Sequence, residues 1–230
     1  MFTDNINFKN FKIKVKKTKI KNELISLLSE NNSVINSLSK DYKDSFSKKS
    51  LAKYKKYSNC RLIGMGGSTL GTQAIYDFLK DKTKKNFSFL DNLQPFKKKK
   101  TNKKFLNLII SKSGNTIETI VNVNIFVKKN QKNIFITENK KNYLHSLAQK
   151  LKSEIIHHNN FIGGRYSVLS EVGMLPVELM GLNSIKFRQL NNLVKNKNFL
   201  SNLILNVNAT LFFLKNKKFN SIIVNYDEKS

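Results

Sequence analysis

The sequence predicts an α/β protein: a parallel five-stranded sheet flanked by helices, with further helices leading into it. Three observations predict it. Short apolar runs alternate with stretches of helical spacing, the order that yields a parallel sheet covered on both faces. Loops rich in glycine or serine follow several of those runs and open the next helix. The chain has 230 residues, 40% hydrophobic and 25% charged. That suffices for one packed domain, or for one domain and the start of another.

Taken in order, residues 1–19 are polar and basic without a clear period. From Ile20 to Leu38, Leu24, Leu27, Leu28, Val34, Ile35 and Leu38 keep a mostly helical spacing. Asp41 to Tyr57 is expected as a second helix, with Phe46, Leu51 and Tyr54 on its apolar side. Strands are expected at Cys60–Ile63, Phe87–Leu90, Phe105–Ile110, Asn133–Thr137 and Glu154–His157. Helices are expected at Thr69–Leu79, Thr116–Lys128 and Lys141–Leu151. Beyond Ser184 the pattern predicts helices at 184–196 and 199–217, then a strand beginning at Ser221–Val224. The expected organisation is a helical segment over 1–58, the sheet domain over 59–183 and a connecting segment over 184–230.

Composition excludes several classes. A single cysteine, Cys60, forbids an internal disulfide and fits a reduced compartment. No apolar run approaches the roughly 18 residues that span a bilayer, and no apolar stretch follows the basic N-terminus as a secretory signal would require. The net charge of +27 raises nucleic-acid binding. Against it, 39 of the 42 basic residues are Lys and three are Arg: Arg61, Arg165 and Arg188. Readout of bases and phosphates favours Arg. Lys comes with 32 Asn, 21 Ile and 17 Phe, the residues of A- and T-rich codons, so codon bias accounts for the charge. The run Lys97–Lys100 reads as a solvated loop.

Ligands of such sheets bind beyond the carboxyl ends of the strands, so three loops carry the functional reading. The first is Gly64-Met65-Gly66-Gly67-Ser68-Thr69-Leu70-Gly71. It is not a dinucleotide fingerprint, since Thr69 stands where the third glycine would fall. That weakens the dinucleotide reading without closing it, because Asp91 sits where a ribose-binding acid could fall. Nor is the loop a Walker A loop, since Thr72 follows Gly71. A tight turn without a ligand explains it equally well. The second is Ser111-Lys112-Ser113-Gly114-Asn115-Thr116. Three hydroxyls and a glycine at a helix start form an anion cradle. N-capping by Ser113 or Thr116 would need only one of them. The third is Ile162-Gly163-Gly164-Arg165-Tyr166-Ser167. Its arginine is either a planar, permanently charged donor for a ligand or a tie for the loop.

Together the three loops resemble the sugar isomerase (SIS) domain of the phosphoglucose isomerase family. The family's GxGGSxLG loop is matched at Gly64–Gly71, its SKSGxTxET loop at Ser111–Thr119, and its GGRYS segment at Gly163–Ser167, continuing to Gly173. The resemblance implies a flavodoxin-like three-layer sandwich and interconversion of glucose 6-phosphate and fructose 6-phosphate through an enediolate. It implies that Ser111, Ser113 and Thr116, with the Lys112 backbone, hold the 6-phosphate. Gly67, Ser68 and Gly164 would line the sugar. Arg165 would stabilise the enediolate, and Glu118 would match the acid that orients a ring-opening histidine. It further implies a cytoplasmic homodimer with no cofactor, no metal, and neither nucleic acid nor membrane as partner. Thr72 departs from a common proline, and Asn115 from a usual hydroxyl residue.

Isomerisation also needs a base and ring-opening groups. The family's glutamate base, histidine and lysine lie in motifs not found here. The expectation is therefore a chain that stops short of a second SIS domain, with the strand at Ser221–Val224 as its approach, inactive alone. His145 falls on an exposed-looking helix face, and His157 and His158 have no partner acid at triad or metal spacing. All three read as structural or solvent residues, and Glu171 and Glu178 read as surface or packing residues. A single-domain sugar-phosphate sensor without catalysis is the alternative reading; Arg165 argues against it.

Overall fold

In the computed structural model the described residues are 18–93, 103–189, 192–193 and 195–217. The expected strand at Ser221–Val224 and the lysine run at Lys97–Lys100 lie outside them. Contacts divide the chain into two compact units. One is Tyr42–Phe187, and the other draws on both ends of the chain, up to Asp41 and from Arg188 onward.

The Tyr42–Phe187 unit is built on five parallel strands: β1 (Asn59–Ile63), β2 (Asn86–Leu90), β3 (Phe105–Ile110), β4 (Lys132–Glu138) and β5 (Glu154–His158). They lie in the order β2-β1-β3-β4-β5, with Cys60 opposite Leu106 and Leu108 opposite Ile134. Five of the six residues of β3 are buried, as a strand covered on both sides requires. Alternate side chains serve two cores. Leu62, Leu108 and Ile136 point to one, closed by Tyr76, Leu175 and Leu179. Ile63, Ile109 and Phe135 point to the other, closed by Val123, Leu144 and Ala148. Helices α4 (Leu70–Phe78) and α7 (Glu171–Leu179) therefore cover the first face. Helices α5 (Ile117–Phe126) and α6 (Tyr143–Lys150) cover the second. This is the expected three-layer α/β fold.

Arg61 is a structural arginine. Its guanidinium lies 4.2 Å from the Phe105 ring centroid and reaches Asn107 Oδ1 at 3.5 Å. Asn107 in turn donates to Asn133 Oδ1 at 2.8 Å.

Outside the sheet three expected helices differ. The first is cut: α1 (Thr18–Ser29) ends before Asn31 and Asn32, and Asn32 caps the short α2 (Ser33–Ser37) by accepting from Val34 N. The helix expected at Asp41–Tyr57 reduces to α3 (Lys48–Leu51) and a 3-10 turn at Ala52–Tyr54. Ser47 caps α3, and the residues before it spend their side chains on distant partners. The Tyr42 hydroxyl donates to Glu171 and Ser45 Oγ to the His157 carbonyl. Leu51 and Tyr54 are nonetheless buried, as their spacing implied. The helix expected over 184–196 opens instead as a 3-10 turn at Ser184–Phe187; residues 192–193 are helical, and Asn196 caps α8 (Lys197–Lys215). In the terminal unit, α1 packs against α8.

Candidate functional site

Helix α4, after β1, covers one face of the sheet, and α5, after β3, covers the other. Because β1 and β3 are neighbours, the chain parts to opposite faces between them. That switch point leaves a crevice at the carboxyl ends of the strands. An open cleft of about 310 Å³ lies there, lined by Ser68, Ser111, Lys112, Ser113, Thr116 and Glu138. Four residues expected to hold phosphate and one expected to line sugar thus share one cavity.

The second loop is folded as a cradle rather than a cap. Thr116 occupies the N-cap position of α5 but makes no side-chain capping bond. Its hydroxyl pairs instead with Ser111 Oγ at 3.0 Å, and Ser111 Oγ also accepts from Gly114 N at 3.2 Å. Ser113 Oγ accepts from Asn115 N at 3.3 Å. The first N–H groups of α5 have no intrahelical acceptor and present the positive end of the helix to the cleft. Gly114 takes φ +66° there, and a β-carbon on it would overlap the Asn142 side chain. Asn142 meanwhile caps α6 through His145 N at 2.8 Å. Asn115, the departure from a hydroxyl residue, accepts from Tyr143 N at 3.1 Å. It holds the loop to the start of α6.

The other two loops converge on this one. Gly67 packs so closely on Gly164 that a β-carbon would overlap the Gly164 carbonyl group. Ser167 Oγ donates to the carbonyls of Gly164, at 2.7 Å, and Gly67, at 3.3 Å. Lys112 Nζ donates to the Asn160 carbonyl at 2.7 Å, joining the second loop to the third. Arg165 lies in the 3-10 turn at Gly164–Tyr166, exposed. The ties of its loop are made by Ser167, Ser170 and Glu171, so the guanidinium is not what fastens it. Glu118 is half-buried in the first turn of α5. Neither Arg165 nor Glu118 lines the cleft itself.

Two features escaped the sequence. Glu138 ends β4, lines the cleft and donates its backbone N–H to the Lys112 carbonyl at 3.1 Å. Its place at a strand's carboxyl end was the available signal. The second is a correction. Glu171 is 1% exposed, not a surface residue, and pairs with His158 Nδ1 at 2.9 Å. His158 therefore does have a partner acid. The two stand 13 positions apart across a loop, a separation that no local pattern reads. Glu178 binds Lys48 Nζ at 2.6 Å and Ser184 N at 2.9 Å.

Known proteins are similar to this chain in sequence and in fold. The phosphoglucose isomerase family model matches residues 14–210. The glucose-6-phosphate isomerase of Methanocaldococcus jannaschii is 32% identical over 206 residues, covering 81% of this chain and 51% of that protein. That of Borreliella afzelii is 32% identical over 143 residues, covering 54% of this chain and 27% of that protein. A hypothetical protein of Thermus thermophilus has a similar solved fold, with TM-score 0.65 and 22% identity. The match covers 86% of this chain and 52% of that one. The chain thus spans about half the length, or less, of these relatives.

Proposed function

The chain belongs to the phosphoglucose isomerase family, and from that premise we propose that it binds the 6-phosphate of glucose 6-phosphate or fructose 6-phosphate. In this reading it is the part of a homodimeric aldose–ketose isomerase that holds the substrate. The observation that carries it is the shared cleft of Ser68, Ser111, Ser113 and Thr116 at the switch point.

The hydroxyls of Ser111, Ser113 and Thr116 donate to the phosphate oxygens, helped by the N-terminus of α5. The sugar extends from there past Ser68 and Gly67 toward Gly164. Moving a proton between neighbouring carbons puts negative charge on an oxygen. A guanidinium held beside that oxygen stabilises the enediolate more than the ground state. Arg165, on the turn that Gly67 abuts, takes that role, and Glu118 orients a ring-opening group. The family's glutamate base matches no motif in this sequence, so turnover by the chain alone is expected to be slight.

Titration calorimetry of the 230-residue chain tests the reading. It should show binding of glucose 6-phosphate and none of glucose. Equal heats for the two sugars would defeat it. A coupled assay showing rapid interconversion of the two hexose phosphates would place the base within these residues after all.

A further inference from the structure

Residues 159–170 join β5 to α7 and carry Gly164 and Arg165. A single buried carboxylate holds both ends of this loop. Glu171, the first residue of α7, accepts through Oε1 from His158 Nδ1 at 2.9 Å and from Asn159 N at 2.6 Å. Both donors are at the loop's start. Through Oε2 it accepts from the Tyr42 hydroxyl at 3.0 Å. Ser45 adds a bond to the His157 carbonyl, so the Tyr42–Ser45 segment straps the same strand end. His158 is itself 3% exposed. An ionised carboxylate only accepts, which puts the imidazole proton on Nδ1. Burial pushes the Glu171 carboxyl up. The His158 hydrogen bond and the N–H groups of Asn159 and Glu171 outweigh that and hold it below the usual range.

A buried carboxylate is a costly way to fill a core, because it must be taken out of water. What the carboxylate supplies is direction, since its three partners all lie around one loop. We propose that Glu171 is a positioning residue for Arg165, its carboxylate closing the 159–170 loop so that Gly164 and Arg165 stay seated against Gly67. This rests on the reading of Arg165 as the cation at the reacting end of the sugar.

The test is hydrogen exchange read by mass spectrometry on the full chain. In Glu171→Ala, exchange of 159–170 should rise about tenfold while β3 and β4 stay at wild-type rates. Glu171→Gln keeps an acceptor for His158 and Asn159 and a donor toward Tyr42, and should restore most of the protection. Unchanged exchange in the loop of Glu171→Ala, or an equal rise throughout the sheet, overturns the proposal. Should that variant fail to fold, Tyr42→Phe removes one tie. A rise confined to 159–170 supports the proposal, and no rise overturns it. Calorimetry separates the two claims. In Glu171→Ala, glucose 6-phosphate should bind about tenfold more weakly and inorganic phosphate as before; equal loss for both overturns positioning. If wild type binds no glucose 6-phosphate, the functional reading fails, and exchange alone decides the role of Glu171.

Discussion

Gly67 and Gly164 meet backbone to backbone: no β-carbon fits on Gly67 without striking the carbonyl of Gly164. That contact sets the distance between the cleft that Ser68 lines and the turn that carries Arg165. Gly67→Ala must therefore push the two loops apart. Calorimetry should show glucose 6-phosphate bound about ten- to a hundredfold more weakly, with the circular dichroism of the folded chain retained.

Ser113→Ala combined with Thr116→Ala removes two of the cleft hydroxyls proposed to hold phosphate. Each hydrogen bond to a charged group contributes about 1.5–3 kcal/mol, so affinity should fall by about a hundredfold or more. Thr116 makes no capping bond to α5, so the urea midpoint should move little. Unchanged affinity would remove these residues from the site.

Thr72 is 2% exposed, and its hydroxyl has no hydrogen-bond partner among the described residues. Thr72→Val removes that hydroxyl at nearly constant shape. Urea unfolding should show a gain of about 1 kcal/mol; a loss would mean the hydroxyl has a partner.

Acid should destabilise the Tyr42–Phe187 unit. For both Glu171 and Glu178, burial raises the carboxyl pKa. His158 and backbone N–H groups at the first, and Lys48 and Ser184 at the second, outweigh it and leave the pKa lowered. A carboxyl held below its unfolded value of about 4.3 binds fewer protons folded than unfolded. Its contribution is complete well above that value and is lost as pH falls through the folded one. Urea unfolding from pH 7 to 3 should show stability declining below about pH 5, less steeply in Glu171→Gln.

The strands are legible because burial on both faces leaves a local signature. The apolar run Phe105–Ile110 has the same bounds as β3, and the loops of the site are marked by their own residues. Helices fail where side chains find distant partners. Phe46, Leu51 and Tyr54 have helical spacing, yet Tyr42 and Ser45 bond to residues more than a hundred positions away, and the chain before Ser47 is not helical.

By itself, then, the sequence determined the α/β order, the three loops and the hydroxyls of the cradle, because periodicity, turn chemistry and capping act over a few residues. Only the tertiary structure decided that β1 lies beside β3, that Gly67 touches Gly164, and that Glu171 rather than Arg165 fastens the third loop. Those facts depend on which distant strand ends pack together, and the free energy of that packing is shared among residues that no local pattern connects.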